Sequence, residues 1–274
     1  MIWINGRHDD LRHQIAYDDR GFLLGEGVFE TIAFRNNDIC HWSHHWARLN
    51  RALHYIGISC HYSEDEILSA IKVCAENNLI ESASGTIRIT VSAGGGGRGL
   101  SPAQTGPAQW LVQVSPISEI KDTITLEEVD ILRPSKNPSS RFKTLSYIDN
   151  IMARRQISAD EAILFNEFDR LACAAAGNVF ILQDDFLITP PCSDGALDGI
   201  IRQVLLERGT IKGLACQEAT ISRSQLRSCD ALFVTNSLIG AQAAQTLSLK
   251  NEPPIKKGSP RDAEILLEIR SFAF

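Results

Sequence analysis

Lys143 is the residue around which chemistry can be built. It follows the loop-like stretch Arg133-Pro134-Ser135-Lys136-Asn137-Pro138-Ser139-Ser140. It precedes Tyr147 to Ile157, where Ile148, Ile151, Met152 and Arg155 fall at helical spacing. A lysine between a turn and a helix, on an apolar background, can present one amine into a cleft. Desolvation makes such an amine lose its proton easily, and the neutral form is a nucleophile toward a carbonyl. Two other places suit an anion. Gly199 and Ile200 open a helix expected over Ile201 to Arg208, so their backbone N–H groups can cradle a phosphate. Ser237 follows a strand expected from Ala231 to Thr235 and adds a small hydroxyl. The run Ala93-Gly94-Gly95-Gly96-Gly97-Arg98-Gly99-Leu100-Ser101-Pro102 reads in two ways. It is a flexible surface turn, or a mobile loop that brings the planar fork of Arg98 to a carboxylate. His44 and His45 lack cysteine or carboxylate partners at ligand spacing. They are expected to be solvated or packing residues, and no metal is expected.

The bulk of the chain bounds these readings. With 274 residues, two domains are expected. An apolar content of 44% and a net charge of −6 describe a soluble globular protein. No basic block or aromatic-basic stripe points to nucleic acid. Apolar runs such as Ala231 to Val234 are too short to span a bilayer, so no membrane partner is expected. Seven scattered cysteines without a C-x-x-C pair read as reduced thiols. With no visible secretory signal, they make the cytoplasm the expected address.

The elements that must position these groups are legible in outline. Phe29 to Arg35, Asn36-Asn37 and Asp38 to Cys40 read as a hairpin. His44 to Leu53 reads as an amphipathic helix closed by Gly57, and Ser63 with Glu66 as a capping box opening a helix to Asn78. Strands are expected at Thr86 to Ser92, Gln109 to Val114, Glu161 to Phe165 and, interrupted by small residues, Leu171 to Leu182. The glycines of Asp18 to Ile32 suggest close backbone approach, at a spacing that is no dinucleotide fingerprint.

Taken together, Asp19-Arg20-Gly21 with Gly25-Glu26-Gly27-Val28-Phe29-Glu30-Thr31, His45-x-x-Arg48-Leu49 and Arg141-x-Lys143-Thr144-Leu145 form a recognisable order. Asn178-Val179-Phe180, Thr189-Pro190-Pro191 and Leu197-x-Gly199-Ile200-x-Arg202 complete it. Over nearly its whole length the chain resembles the class IV (fold type IV) pyridoxal-phosphate aminotransferases. Within them it is most similar to the 4-amino-4-deoxychorismate lyases, through Gly96 to Ser101 and Asn236-Ser237-Leu238. The resemblance implies an α/β (α+β) fold of two domains. These are a small N-terminal α/β domain (1–117), a linker (118–125) and a larger β-rich C-terminal domain (126–274). It implies that Lys143 forms a Schiff base with pyridoxal phosphate and shuttles a proton. Arg48, the backbone at Ile200 and Ile201, and Ser237 would hold the phosphate. Asn178 would also serve the cofactor, and Phe29 and Arg98 would meet a small-molecule substrate. A homodimer is implied as well. Cys173 stands where the family has the glutamate that pairs with the pyridine nitrogen, so the electron sink is expected to be shallower. The implied reaction turns 4-amino-4-deoxychorismate into 4-aminobenzoate and pyruvate, feeding folate synthesis. The alternatives are a transaminase acting on D-amino acids, branched-chain amino acids or (R)-amines, and a non-catalytic cofactor-binding homologue.

Overall fold

The computed structural model describes residues 1–9, 15–79, 83–96, 99–100, 106–117 and 119–274. The chain divides into two compact units, Met1–Ser118 with Lys143–Ser146, and Glu119–Phe142 with Tyr147–Phe274.

The first unit is a six-stranded antiparallel sheet under two helices. Its strands are β1 (Ile2–Ile4), β2 (Arg7–Asp9), β3 (Gly27–Arg35), β4 (Asp38–Ile39), β5 (Ser84–Ser92) and β6 (Gln109–Pro116), in the order β2-β1-β6-β5-β3-β4. A short helix, α1 (Arg20–Leu24), precedes β3. Helices α2 (Trp42–Ile56) and α3 (Glu64–Asn78) follow β4. Along β5 the side chains alternate strictly. Ile87, Ile89 and Val91 are buried while Thr86, Arg88 and Thr90 are half-buried, as a strand with two unlike faces requires. Each such aliphatic contributes roughly 1.5–3 kcal/mol by leaving water. The β3–β4 hairpin turns at Asn36 and Asn37 with φ of 49° and 64°, a left-handed pair that asparagine tolerates. The Ser63–Glu66 capping box opens α3, with each side chain bonding the other residue's backbone N–H.

The second unit is built on a ten-stranded mixed sheet. Its elements are β7 (Thr123–Glu128), α4 (Pro138–Arg141), α5 (Ile148–Arg155), β8 (Glu161–Phe165), β9 (Leu171–Ala174), β10 (Asn178–Gln183) and β11 (Phe186–Thr189). After these come α6 (Ile200–Arg208), β12 (Thr210–Ile211), β13 (Leu214–Glu218), α7 (Arg223–Ser228), β14 (Ala231–Asn236), β15 (Gly240–Ser248), β16 (Ile255–Lys256) and α8 (Asp262–Ala273). The order is β12-β13-β11-β10-β14-β15-β7-β8-β9, with β16 on β15. Two of its core clusters flank the central strands. Val179, Ile181, Leu232 and Val234 belong to one, and Phe180, Leu182, Phe233 and the buried faces of α6 and α8 belong to the other.

Two features differ from the sequence reading, and a third was not read from it. β7 begins at Thr123, inside the expected linker. Residues 138–141, expected as loop, form a helical turn that Asn137 caps. The helix after Lys143 is present, but its apolar stripe is turned outward. Ile148, Ile151 and Met152 are 60%, 45% and 38% exposed, while Asn150 and Ala153 are buried. The physical reason is Asn150, whose Nδ2 donates to the Ala175 carbonyl at 2.6 Å and fixes the helix's rotation.

Candidate active site

Lys143 belongs to the first unit through its backbone. Residues 143–145 run along the edge of β3 as an added rung. Phe29 N donates to Lys143 O, and Leu145 N to Gly27 O, both at 2.9 Å. Thr144 is bridged to Val28. The close approach needs Gly27. A Cβ there would sit 2.3 Å from the Val91 carbonyl oxygen and 2.6 Å from Leu145 Cδ1. The glycine pattern that suggested close approach is therefore answered by the segment carrying the lysine.

The pairing sets the amine beside an aromatic ring. Lys143 Nζ lies 4.3 Å from the centroid of the buried Phe29 ring, and Arg88 Cζ lies 3.7 Å from the same centroid. Arg88 Nε also donates to Thr90 Oγ1 at 3.2 Å. Two cations thus share one ring, an arrangement that favours an anionic ligand close by. Phe29, Thr90, Leu111 and Ile4 lie opposite one another across β3, β5, β6 and β1. Along that row, Ile4, Thr90 and Leu111 line a cavity of about 340 Å³ with Asp19, Phe22 and Leu145. The size and mostly apolar lining suit a small molecule.

Glu30, next to Phe29, points to the other face of the sheet, where α2 packs. Arg48 Nε and one terminal nitrogen donate to the two oxygens of Glu30 at 2.8 and 2.7 Å, and His45 Nδ1 lies 2.7 Å from Glu30 Oε2. Burial works to raise the Glu30 pKa. The adjoining Arg48 charge and the hydrogen bonds from Arg48 and His45 outweigh it and hold the value at about 2. His45, expected to be solvated or packing, is buried and bonded to Glu30.

Arg20 bonds two carbonyls of the glycine-rich run. Arg20 N donates to Gly94 O at 2.9 Å, and an Arg20 terminal nitrogen to Gly99 O at 2.9 Å. Asp19 caps α1 and accepts the Ser92 hydroxyl at 2.6 Å. Arg98 lies outside the described residues.

The second unit gathers another set. Asn178 opens β10 opposite Thr235 of β14, and its Nδ2 donates to Leu197 O at 2.8 Å. That bond holds the approach to α6, whose N-cap, Gly199, makes no side-chain cap. A Cβ on Gly199 would lie 1.9 Å from Asn178 Oδ1, so only glycine fits. The first N–H groups of Ile200 and Ile201 have no intrahelical acceptor. Among the described residues, Thr235 Oγ1 is buried without a partner, on the same sheet face as Asn178. Ser237, half-buried, lies in a turn held by Asn236 Oδ1, which accepts from Leu238 N and Ile239 N. Cys173 lies on β9 opposite Leu164, 4% exposed. Burial pushes its thiol pKa up, against the nearby Arg133 charge and with that of Glu161. It is a neutral thiol.

Arg88, Glu30 and Thr235 were not read from sequence as site residues. A signal existed for Glu30, a carboxylate between Val28 and Ile32 on the core-facing register of a strand. Arg88 carried none, because an arginine on an alternating strand is ordinarily a solvated charge.

The model of the family described as "Amino-transferase class IV" matches residues 27–246. An aminodeoxychorismate lyase of Bacillus subtilis (strain 168) is 30% identical over 250 residues, 87% of this chain and 84% of the relative. A D-alanine aminotransferase of Bacillus licheniformis is 28% identical over 250 residues, 86% and 84% of the two chains. The structure of a branched-chain aminotransferase from the archaeon Thermoproteus uzoniensis, with norvaline, superposes with a TM-score of 0.88. It covers 99% of this chain and 94% of that one at 22% identity, a likeness of fold.

Proposed function

This chain belongs to the amino-transferase class IV family, whose members depend on pyridoxal phosphate, and we propose that it is a lyase acting on 4-amino-4-deoxychorismate. The products are 4-aminobenzoate and pyruvate. The observation that carries this reading is Cys173. A buried neutral thiol in place of a carboxylate suits a reaction that needs little electron withdrawal, and an elimination that creates an aromatic ring is such a reaction. The lyase relative from Bacillus subtilis supports it in the same direction.

Residues of the second unit fit the cofactor's phosphate: among the described residues, the uncapped start of α6, the space kept by Gly199 and the unpartnered hydroxyl of Thr235 offer neutral donors. When bound, the cofactor supplies a ring that stabilises negative charge on the substrate carbon beside its amine. Lys143 Nζ, seated over Phe29, removes the proton from that carbon and returns it later. Phe29 is buried and gives the amine and Arg88 a shared apolar contact. Arg88 receives a substrate carboxylate, a partner its planar fork matches. Arg98 is read as a second carboxylate contact.

A transaminase is the second reading, favoured by the D-alanine aminotransferase relative. The test is a product assay on purified protein loaded with pyridoxal phosphate. Supplying 4-amino-4-deoxychorismate should yield 4-aminobenzoate and pyruvate in equal amounts. Faster conversion of D-alanine with 2-oxoglutarate, without 4-aminobenzoate, would overturn the lyase reading in favour of the transaminase. Cofactor retained with no turnover on either substrate would point to a binding homologue. Cys173→Glu should raise a transamination side activity more than the elimination. Borohydride reduction should fix the cofactor to the peptide carrying Lys143. We read the chain as a homodimer, which the exposed apolar residues Tyr17, Phe22, Leu23 and Leu100 of the first unit support; sedimentation at a single-chain mass would overturn it.

A further inference from the structure

Asp19, Ser92, Gln109 and Thr90 are the polar side chains in the wall of the first unit's cavity of about 340 Å³, and their hydrogen bonding is not alike. Asp19 accepts from Phe22 N at 2.9 Å and from the Ser92 hydroxyl at 2.6 Å. Ser92 has thereby committed its hydrogen, and its oxygen accepts from Gly94 N at 3.3 Å. Gln109 Oε1 accepts from Asn5 Nδ2 at 2.6 Å, and its Nε2 donates to Pro107 O at 2.9 Å. Thr90 differs. Its oxygen accepts from Arg88 Nε at 3.2 Å, and an arginine only donates, so the hydrogen of the Thr90 hydroxyl takes no part in that bond. Among the described residues, none accepts it. Accepting from a cation also polarises the hydroxyl and strengthens what it donates.

We propose that Thr90 is a specificity-determining residue: it holds Arg88 by Nε and gives its own hydroxyl hydrogen to a carboxylate carried on a flat apolar ring that enters the cavity. This rests on the reading of the Lys143 face of the first unit as the place where substrate binds. Thr90 stands directly opposite Phe29, whose ring carries Lys143 Nζ on one contact and Arg88 on another. Residues paired in this way on antiparallel strands are neighbours on one face, and Arg88, two positions along β5, shares that face. The two cations favour a negatively charged acceptor, and a hydrogen bond to such an acceptor is a strong one. Ile4 and Leu111 supply apolar wall for the ring. An alanine-sized substrate brings no ring to fill that space. Ser92, one pleat further along the strand, cannot substitute for Thr90, because Asp19 holds its hydrogen.

The probes are 4-aminobenzoate and aniline, which differ by the carboxylate alone, each titrated by calorimetry into the full chain loaded with pyridoxal phosphate. Thr90→Val keeps the shape and removes the hydroxyl. It should weaken 4-aminobenzoate about tenfold and leave aniline within about twofold of the wild type. Thr90→Ser, which restores the hydroxyl without the methyl group, should restore the affinity for 4-aminobenzoate. Equal weakening of both probes, or no recovery in Thr90→Ser, would overturn the proposal, because Thr90 would then only shape the wall. Undiminished 4-aminobenzoate binding in Thr90→Val, with weakened binding in Arg88→Ala, would overturn the part given to Thr90 and leave the reading of the face intact. Undiminished binding in both variants, or no binding to the wild type, would overturn the reading of the face and the proposal with it. If Thr90→Val fails to fold, Thr90→Ala carries the same test.

Discussion

The Arg48 cluster of the first unit and the start of α6 in the second present positive charge in two different ways. The cluster offers a full charge, but one already balanced by a buried carboxylate and fixed in place by it. The start of α6 offers no ionised group of its own. It has backbone N–H groups, a glycine that lets Asn178 close in, and an unpartnered threonine hydroxyl. A clamped charge is sensitive to pH and costly to disturb, because removing either partner strands the other away from water. Backbone donors do not titrate and depend on shape. The difference teaches that a clamped charge and a row of backbone donors fail in unlike ways.

The comparison breaks most visibly at Glu30. Glu30→Gln leaves the buried Arg48 charge without its carboxylate, and urea unfolding should show a loss of about 3–5 kcal/mol. Acid sharpens the same point. Because the folded pKa of Glu30 is about 2 against an ordinary 4.5, its contribution is whole above pH 4.5 and is lost as pH falls toward 2. The stability gap between the wild type and Glu30→Gln, on the order of 3 kcal/mol from the size of that shift, should therefore shrink across that interval. A gap that stays constant would mean that Glu30 is not held ionised by Arg48. At the other device, Gly199→Ala forces a methyl group onto Asn178 Oδ1. It should cost roughly 1–3 kcal/mol and weaken pyridoxal phosphate binding, measured by fluorescence titration, equally at every pH. Thr235→Val has the smallest effect. Losing an unpartnered buried hydroxyl should leave thermal stability unchanged or slightly higher, while cofactor affinity falls by about 1 kcal/mol. Unchanged affinity would remove Thr235 from the cradle.

Much of the first unit's framework was readable because its signals are local. The asparagine pair of the β3–β4 hairpin, the capping box of α3 and the alternation of β5 each act within a few residues. The start of α6 was readable too, since a glycine before an apolar helix is a signal of its own. The buried face of α5 was not read from sequence, since it carries Asn150, whose long-range bond to Ala175 lies on another element. The histidine at position 45 looked like a packing residue because its partner is 15 residues away on another element.

By itself the sequence determined where most helices and strands lie, including the segment that carries Lys143 and the glycine that opens α6. Those depend on neighbouring residues and their intrinsic geometry. Tertiary structure alone decided that Lys143 pairs with β3 and so sits beside Phe29 and Arg88. It alone decided that Arg48 is clamped by Glu30 and His45, and that Thr235 is left without a partner. These are contacts between residues far apart in the chain, and their energy exists only once folding has brought the charges and hydroxyls out of water.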